Sequence, residues 1–139
     1  MILYEYVRWV GDQARDTFNH WRPTLQVVER ALLDEKVNSL RTAGPETLPG
    51  LVAGPIKERG IKYPHILKMQ IGGKKFRLRP LLCHGPSAKV EETETDLTLL
   101  LGAREIQDRI TPSPSVAVDR RETILADFRR RRLYKAEKI

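Results

Sequence analysis

The residues best suited to act chemically lie in one short run, ILKMQIGGKKFRLRPLLCH at 66 to 84. Two strands, HILKMQI and KKFRLRPLLC, flank Gly72 and Gly73, a pair that readily adopts the positive φ angles of a two-residue hairpin turn. That turn sets Ile71 against Lys74, Gln70 against Lys75, Met69 against Phe76, Lys68 against Arg77 and Leu67 against Leu78. Alternation along the strands then sends Leu67, Met69, Phe76 and Leu78 to a core face. Lys68, Gln70, Lys75, Arg77 and Arg79 share the other. Like charges set directly opposite one another destabilise a sheet, so this basic face points to an anionic ligand. The alternative is that acidic side chains fold over it and neutralise it.

The chain carries no HxH, HExxH, P-loop or glycine-rich dinucleotide pattern, so the usual signatures of metal hydrolysis and nucleotide-cofactor chemistry are missing. Neither a metal nor a cofactor is therefore expected. His20, His65 and His84 are far apart in sequence. His84, which follows Pro80 and Cys83 beyond the second strand, is the one nearest the basic face and the candidate proton donor there.

The rest of the composition fits a polyanionic partner. There are 25 Lys and Arg against 18 Asp and Glu in 139 residues, a formal net charge of +7. Such a balance favours RNA, DNA, ribosomes or an acidic protein over a neutral partner. The length suits one domain, expected over residues 1–128, with 129–139 as a basic C-terminal tail that frays. Cys83 is the only cysteine, so an internal disulfide is excluded and a reducing compartment is expected. The opening MILYEYVRWV is interrupted by Glu5 and Arg8 too early to resemble a signal peptide, and no apolar run approaches a membrane span. The expected location is the cytoplasm, with no membrane partner.

The elements that must hold the basic face follow from periodicity. ILYEYV reads as a first strand, with Gly11 and Asp12 turning the chain into a helix that begins near Asp12, and Pro23 either interrupts that helix or starts the next. In TLQVVERALLDEKVNSLRTAG the residues Leu25, Val28, Leu32, Leu33, Val37 and Leu40 recur at helical spacing, and Gly44 and Pro45 end the helix. Prolines and glycines punctuate 44–64 too often for a regular element, so a loop is expected. The acidic VEETETD reads as a solvated turn and DLTLLL as a buried strand. Ser113 and Pro114 open a C-terminal helix, SVAVDRRETILADF, that runs into Arg129 to Arg132. The expected fold is α+β: a small, mostly antiparallel sheet with N-terminal helices packed on one face and a C-terminal helix.

The strand ILKMQI, the turn, FRLRPLL, the apolar strand closing in LLLGARE and the final helix together resemble the RelE/HigB/ParE superfamily of bacterial toxins. LLDEKVNSLRTAG, followed by a loop and KERGIKYPHILKMQI, is similar to that superfamily's second helix leading into its central sheet. The likeness spans roughly residues 24–128. It implies a RelE-like fold that cuts mRNA on the ribosome and arrests translation, held in check by a cognate antitoxin. It also implies site residues. Lys68 becomes the base, its deprotonation eased by Lys75 and Arg77. Arg77 and Arg104 hold the scissile phosphate, Lys75, Arg79 and Gln70 contact RNA, and His84 replaces the usual acid. Gln70 stands where a second lysine is common, and IQDRITPSPS has no counterpart of the tyrosine that several members carry. Two other activities fit the same likeness, a ParE-like inhibitor of gyrase and a noncatalytic nucleic-acid-binding or assembly protein.

Overall fold

DLTLLL becomes the middle of the molecule. In the computed structural model, which describes residues 1–45, 48–86 and 96–137, these residues form a strand buried from Leu97 to Leu101. The elements in chain order are β1 (Ile2–Tyr6), β2 (Arg8–Val10), β3 (Gln13–Arg15), α1 (Phe18–Trp21), α2 (Val27–Ala43), β4 (Val52–Ala53), β5 (Ile56–Glu58) and β6 (Ile61–Tyr63). They continue with β7 (Leu67–Met69), β8 (Ile71–Gly72), β9 (Arg77–Leu78), β10 (Leu81–His84), β11 (Asp96–Leu101), β12 (Arg104–Ile106), β13 (Arg109–Thr111), α3 (Pro114–Ala126) and β14 (Arg131–Leu133).

This architecture overturns the expected one. Instead of a small sheet carrying N-terminal helices, the described residues form 14 strands in four sheets, with three helices. The largest sheet runs β14-β1-β11-β10-β7-β4, and β1 and β11 pair in parallel while its other neighbours are antiparallel. A second sheet runs β13-β12-β9-β8, and β2-β3 and β5-β6 are separate ribbons. The reason lies in strand length. Strands of two or three residues, such as β4, β5 and β6 in the segment expected to be a loop, are too short to show a hydrophobic period. The turn at Gly11 (φ 62) likewise joins β2 to β3, and the first helix waits until Thr17, whose hydroxyl accepts from the His20 amide.

Both faces of the large sheet are covered. Leu82, Leu97 and Leu99 pack with Leu33, Val37 and Leu40 of α2, whereas Leu81, Cys83 and Leu100 pack with Ala117 and Ile124 of α3. A sheet buried on two sides explains why Leu99, Leu100 and Leu101 follow one another instead of alternating with polar residues.

Arg129 to Arg132, expected to lead a fraying tail, in part close the sheet's edge. Arg131–Leu133 pairs antiparallel with Tyr4–Tyr6, and Arg132 Nε donates to the fully buried Glu5 carboxylate at 2.8 Å. Asn19 supplies Glu5 with two more donors, its amide at 3.0 Å and its Nδ2 at 3.3 Å. Tyr134 is then buried edge-on against Phe18, with ring centroids 5.4 Å apart. VEETETD falls almost entirely outside the described residues. Among those described, no helix is long and apolar enough to cross a membrane.

Candidate functional site

The hairpin forms, but four residues out of the expected register. Ile71 faces Leu78 and Gly72 faces Arg77, and the same ladder continues with Lys68 opposite Leu81 and Leu67 opposite Leu82. Gly73 to Phe76 make the loop, and Gly72 takes a positive φ of 91 as a ladder residue. The two-residue turn would have set Ile71 against Lys74. The observed register sets it against Leu78, and both are fully buried. Because the shift is even, the residues that remain in the ladder keep their faces, but Lys75 and Phe76 pass into the loop and Lys68 and Arg77 are no longer partners.

The basic face is also less open than expected. Between β7 and β8, and between β9 and β10, the hairpin passes from the large sheet into the second one. Lys68 lies partly buried beside Leu81, on the side covered by α3. Arg79 is buried, and its Nη1 donates to the carbonyls of Leu78 at 2.9 Å and Ile71 at 3.3 Å. It braces the bend. Gln70 is exposed but turns to the Gly50 carbonyl, in a separate recess with Lys36 and Ser39.

Arg77, Lys75 and Arg104 do come to one place. They line an open cleft of about 470 Å³ together with Gln26, Val28, Glu29, Phe76, Glu105 and Ile106. The construction follows from the β9–β12 ladder, in which Arg104 pairs with Leu78. One step along it, Glu105 lies across from Arg77 and accepts from its Nη1 at 2.9 Å. Neighbouring residues of a strand point to opposite faces, so Arg104 leaves β12 on the other side. There its Nη2 reaches both carboxylate oxygens of Glu29, at 3.2 and 3.3 Å. The cleft therefore opens between two ion pairs.

The two carboxylates differ in surroundings. The hydrogen bond from Arg77 holds the Glu105 carboxyl below its ordinary value against the opposing effect of burial, and the charges of Arg79 and Lys68 add to it. Burial pushes Glu29 up, but the Gln26 amide, at 3.0 Å, and Arg104 outweigh it and leave the carboxyl lowered. Both are anions at neutral pH. Each arginine can exchange its carboxylate for a phosphate oxygen and keep an anionic partner.

His84 is not part of this cleft. It ends β10 opposite Leu97, seven residues from Arg77 along the hairpin, on the order of 20 Å at the rise of a strand. Glu29 and Glu105 were missed from sequence. Glu105 directly follows Arg104 in GARE and is one ladder step from Arg77, a relation visible only once β9 and β12 are known to pair. Glu29 carried a signal of its own, as the third residue of α2 accepting from the Gln26 amide.

The chain matches no protein-family model, no curated protein and no solved structure.

Proposed function

We propose that the cleft binds the sugar–phosphate backbone of mRNA and cleaves it without a metal, as the toxin of a toxin–antitoxin pair. The observation that carries this reading is the convergence of Arg77, Lys75 and Arg104, from a loop and two strands, around one groove. Guanidinium forks suit phosphate oxygens and stabilise the charge that grows on them in the transition state. When a phosphate takes over Arg77, the Glu105 carboxylate is freed beside it. It then accepts the proton of the ribose 2′-hydroxyl, the 2′-oxygen attacks phosphorus, and the 5′-oxygen leaves with a proton from water. Glu105 takes over the role first given to Lys68, since it touches the arginine that would hold the phosphate and lines the cleft, whereas Lys68 is not among the lining residues.

The cleft's rim supports a protein partner that covers it at rest. Val27 and Val28 at the start of α2 are about 70% exposed (70% and 69%), and Ile106 is 50% exposed. An antitoxin with acidic and apolar side chains matches such a rim. A second reading is favoured by the ion pairs themselves: with each arginine already neutralised, the groove works as a noncatalytic RNA-binding surface.

Induced expression followed by mapping of mRNA 5′ ends decides between them. New ends on translated messages, lost in the Arg77→Ala, Arg104→Ala double variant and in Glu105→Gln, are the expected result. Ends that persist in the double variant overturn the assignment. RNA binding without new ends selects the noncatalytic reading, and growth arrest with neither selects a protein target such as gyrase.

A further inference from the structure

A second basic surface lies apart from the cleft. Trp9 sits on β2, and its indole Nε1 donates to the Arg129 carbonyl at 2.7 Å. That bond fixes the ring between the β2–β3 turn and the turn at Phe128–Arg130. Together Trp9, Gly11, Asp127, Arg129 and Arg130 line a recess of about 440 Å³. Trp9 as a residue is 37% exposed although its indole N–H is satisfied, so what the ring offers to the recess is apolar and aromatic. Asp127 holds Arg129 through Nε and Nη2, both at 3.0 Å, which aims an 86%-exposed side chain while leaving Nη1 available.

We infer that this recess takes one nucleotide of a single-stranded RNA, its base on Trp9 and its phosphate on Arg129 and Arg130. An aromatic ring beside paired guanidiniums is the combination that binds single strands without sequence preference, because every base offers a π face and every linkage a negative charge. The volume suits a nucleotide. A duplex keeps its bases stacked internally and cannot use the indole. Because β1 and β11 are parallel, the chain leaving β1 toward Trp9 and the chain leaving β11 toward Arg104 emerge from the same end of the large sheet. One strand of RNA can thus occupy the cleft and extend to the recess, an extension that rests on the reading of the cleft as an RNA site.

The test is fluorescence anisotropy with labelled single-stranded RNA of about twelve nucleotides and with a dinucleotide, over a salt series. Trp9→Ala should weaken binding of the longer RNA by at least about fivefold and leave the dinucleotide unaffected. Trp9→Phe, which keeps a stacking ring but loses the hydrogen bond to Arg129, should bind nearly as the unsubstituted protein does. Arg129→Gln should lower the salt slope by about one. Equal affinity of the unsubstituted protein and Trp9→Ala for the longer RNA overturns the inference, as does parallel weakening in Trp9→Ala and Trp9→Phe, which marks a structural role for the hydrogen bond. Preference for an acidic peptide over RNA also overturns it. The two proposals fail separately: Trp9-dependent binding without Arg77-dependent cleavage sinks only the nuclease, and cleavage with Trp9-independent binding sinks only the recess.

Discussion

Glu105→Gln tests how the cleft is built. The substitution keeps the shape of the side chain and removes its charge from two arginines in different surroundings. Arg77, with its side chain 49% exposed, is solvated on its open side, so losing its ion pair costs under about 1 kcal/mol. Arg79 is different: its side chain is 10% exposed, its Nε has no hydrogen-bond partner, and the Glu105 carboxylate 3.9 Å away is its counter-charge. At that distance the attraction is about 4 kcal/mol for an effective dielectric constant of about 20, and the amide dipole and nearby water recover roughly half. The expected loss is therefore about 2–3 kcal/mol, or about 6–9 °C in melting temperature at roughly 3 °C per kcal/mol for a chain of this size. The acid dependence adds a sign. A carboxyl held below its ordinary value when folded contributes stability above the unfolded value and loses it as pH falls through the folded one. Thermal melts by circular dichroism should thus show a gap between the two proteins at pH 7 that narrows as the pH falls below the ordinary carboxylate range. A variant melting within about 1 °C of the unsubstituted protein at pH 7, or a gap unchanged by acid, would refute the reasoning.

Three further outcomes are expected. Arg132→Ala removes the cation from the fully buried Glu5 and should cost about 3 kcal/mol in urea unfolding, while Arg129→Ala, at a solvated pair, should leave stability unchanged. Gly102→Ala would place a Cβ inside the Trp21 ring, so its melting temperature should drop by several degrees, the cost of about 1–3 kcal/mol that overpacking brings. Burial raises the Tyr134 phenol, so the stability it confers is complete below about pH 10 and lost as pH climbs toward the folded value. Tyr134→Phe, which also removes a buried hydroxyl without a partner, should match the parent at pH 7 and resist alkaline unfolding better, read by tyrosine absorbance and circular dichroism.

Long elements were legible in the sequence because their signals are local. The heptad-like apolar spacing of α2, the Ser113–Pro114 start of α3 and the apolar run of β11 each announce themselves within a dozen residues. Arg77 and Lys75 were also found as cations of the hairpin and Arg104 through the family resemblance, and the three do line one cleft. Lys68, Gln70 and Arg79 were grouped with them by alternation and His84 by its place after the second strand, but the hairpin crosses between two sheets at Gln70 and at Arg79–Pro80, which separates them. The two-residue turn lost because burying Ile71 against Leu78 outweighs the local preference of Gly72 and Gly73 for a tight loop.

Sequence by itself determined the basic balance of the chain, the spans of α2 and α3, the buried central strand and the alternation along the hairpin's paired residues, since all of these depend on residue type and a fixed period. Tertiary structure decided everything that depends on which segments meet. It set Glu105 across from Arg77, brought Glu29 to Arg104, buried Arg79, and drew Arg131 and Arg132 onto the sheet edge through Asp96 and Glu5. Those pairings join residues as far apart as positions 5 and 132, and no local period reports a contact at that separation.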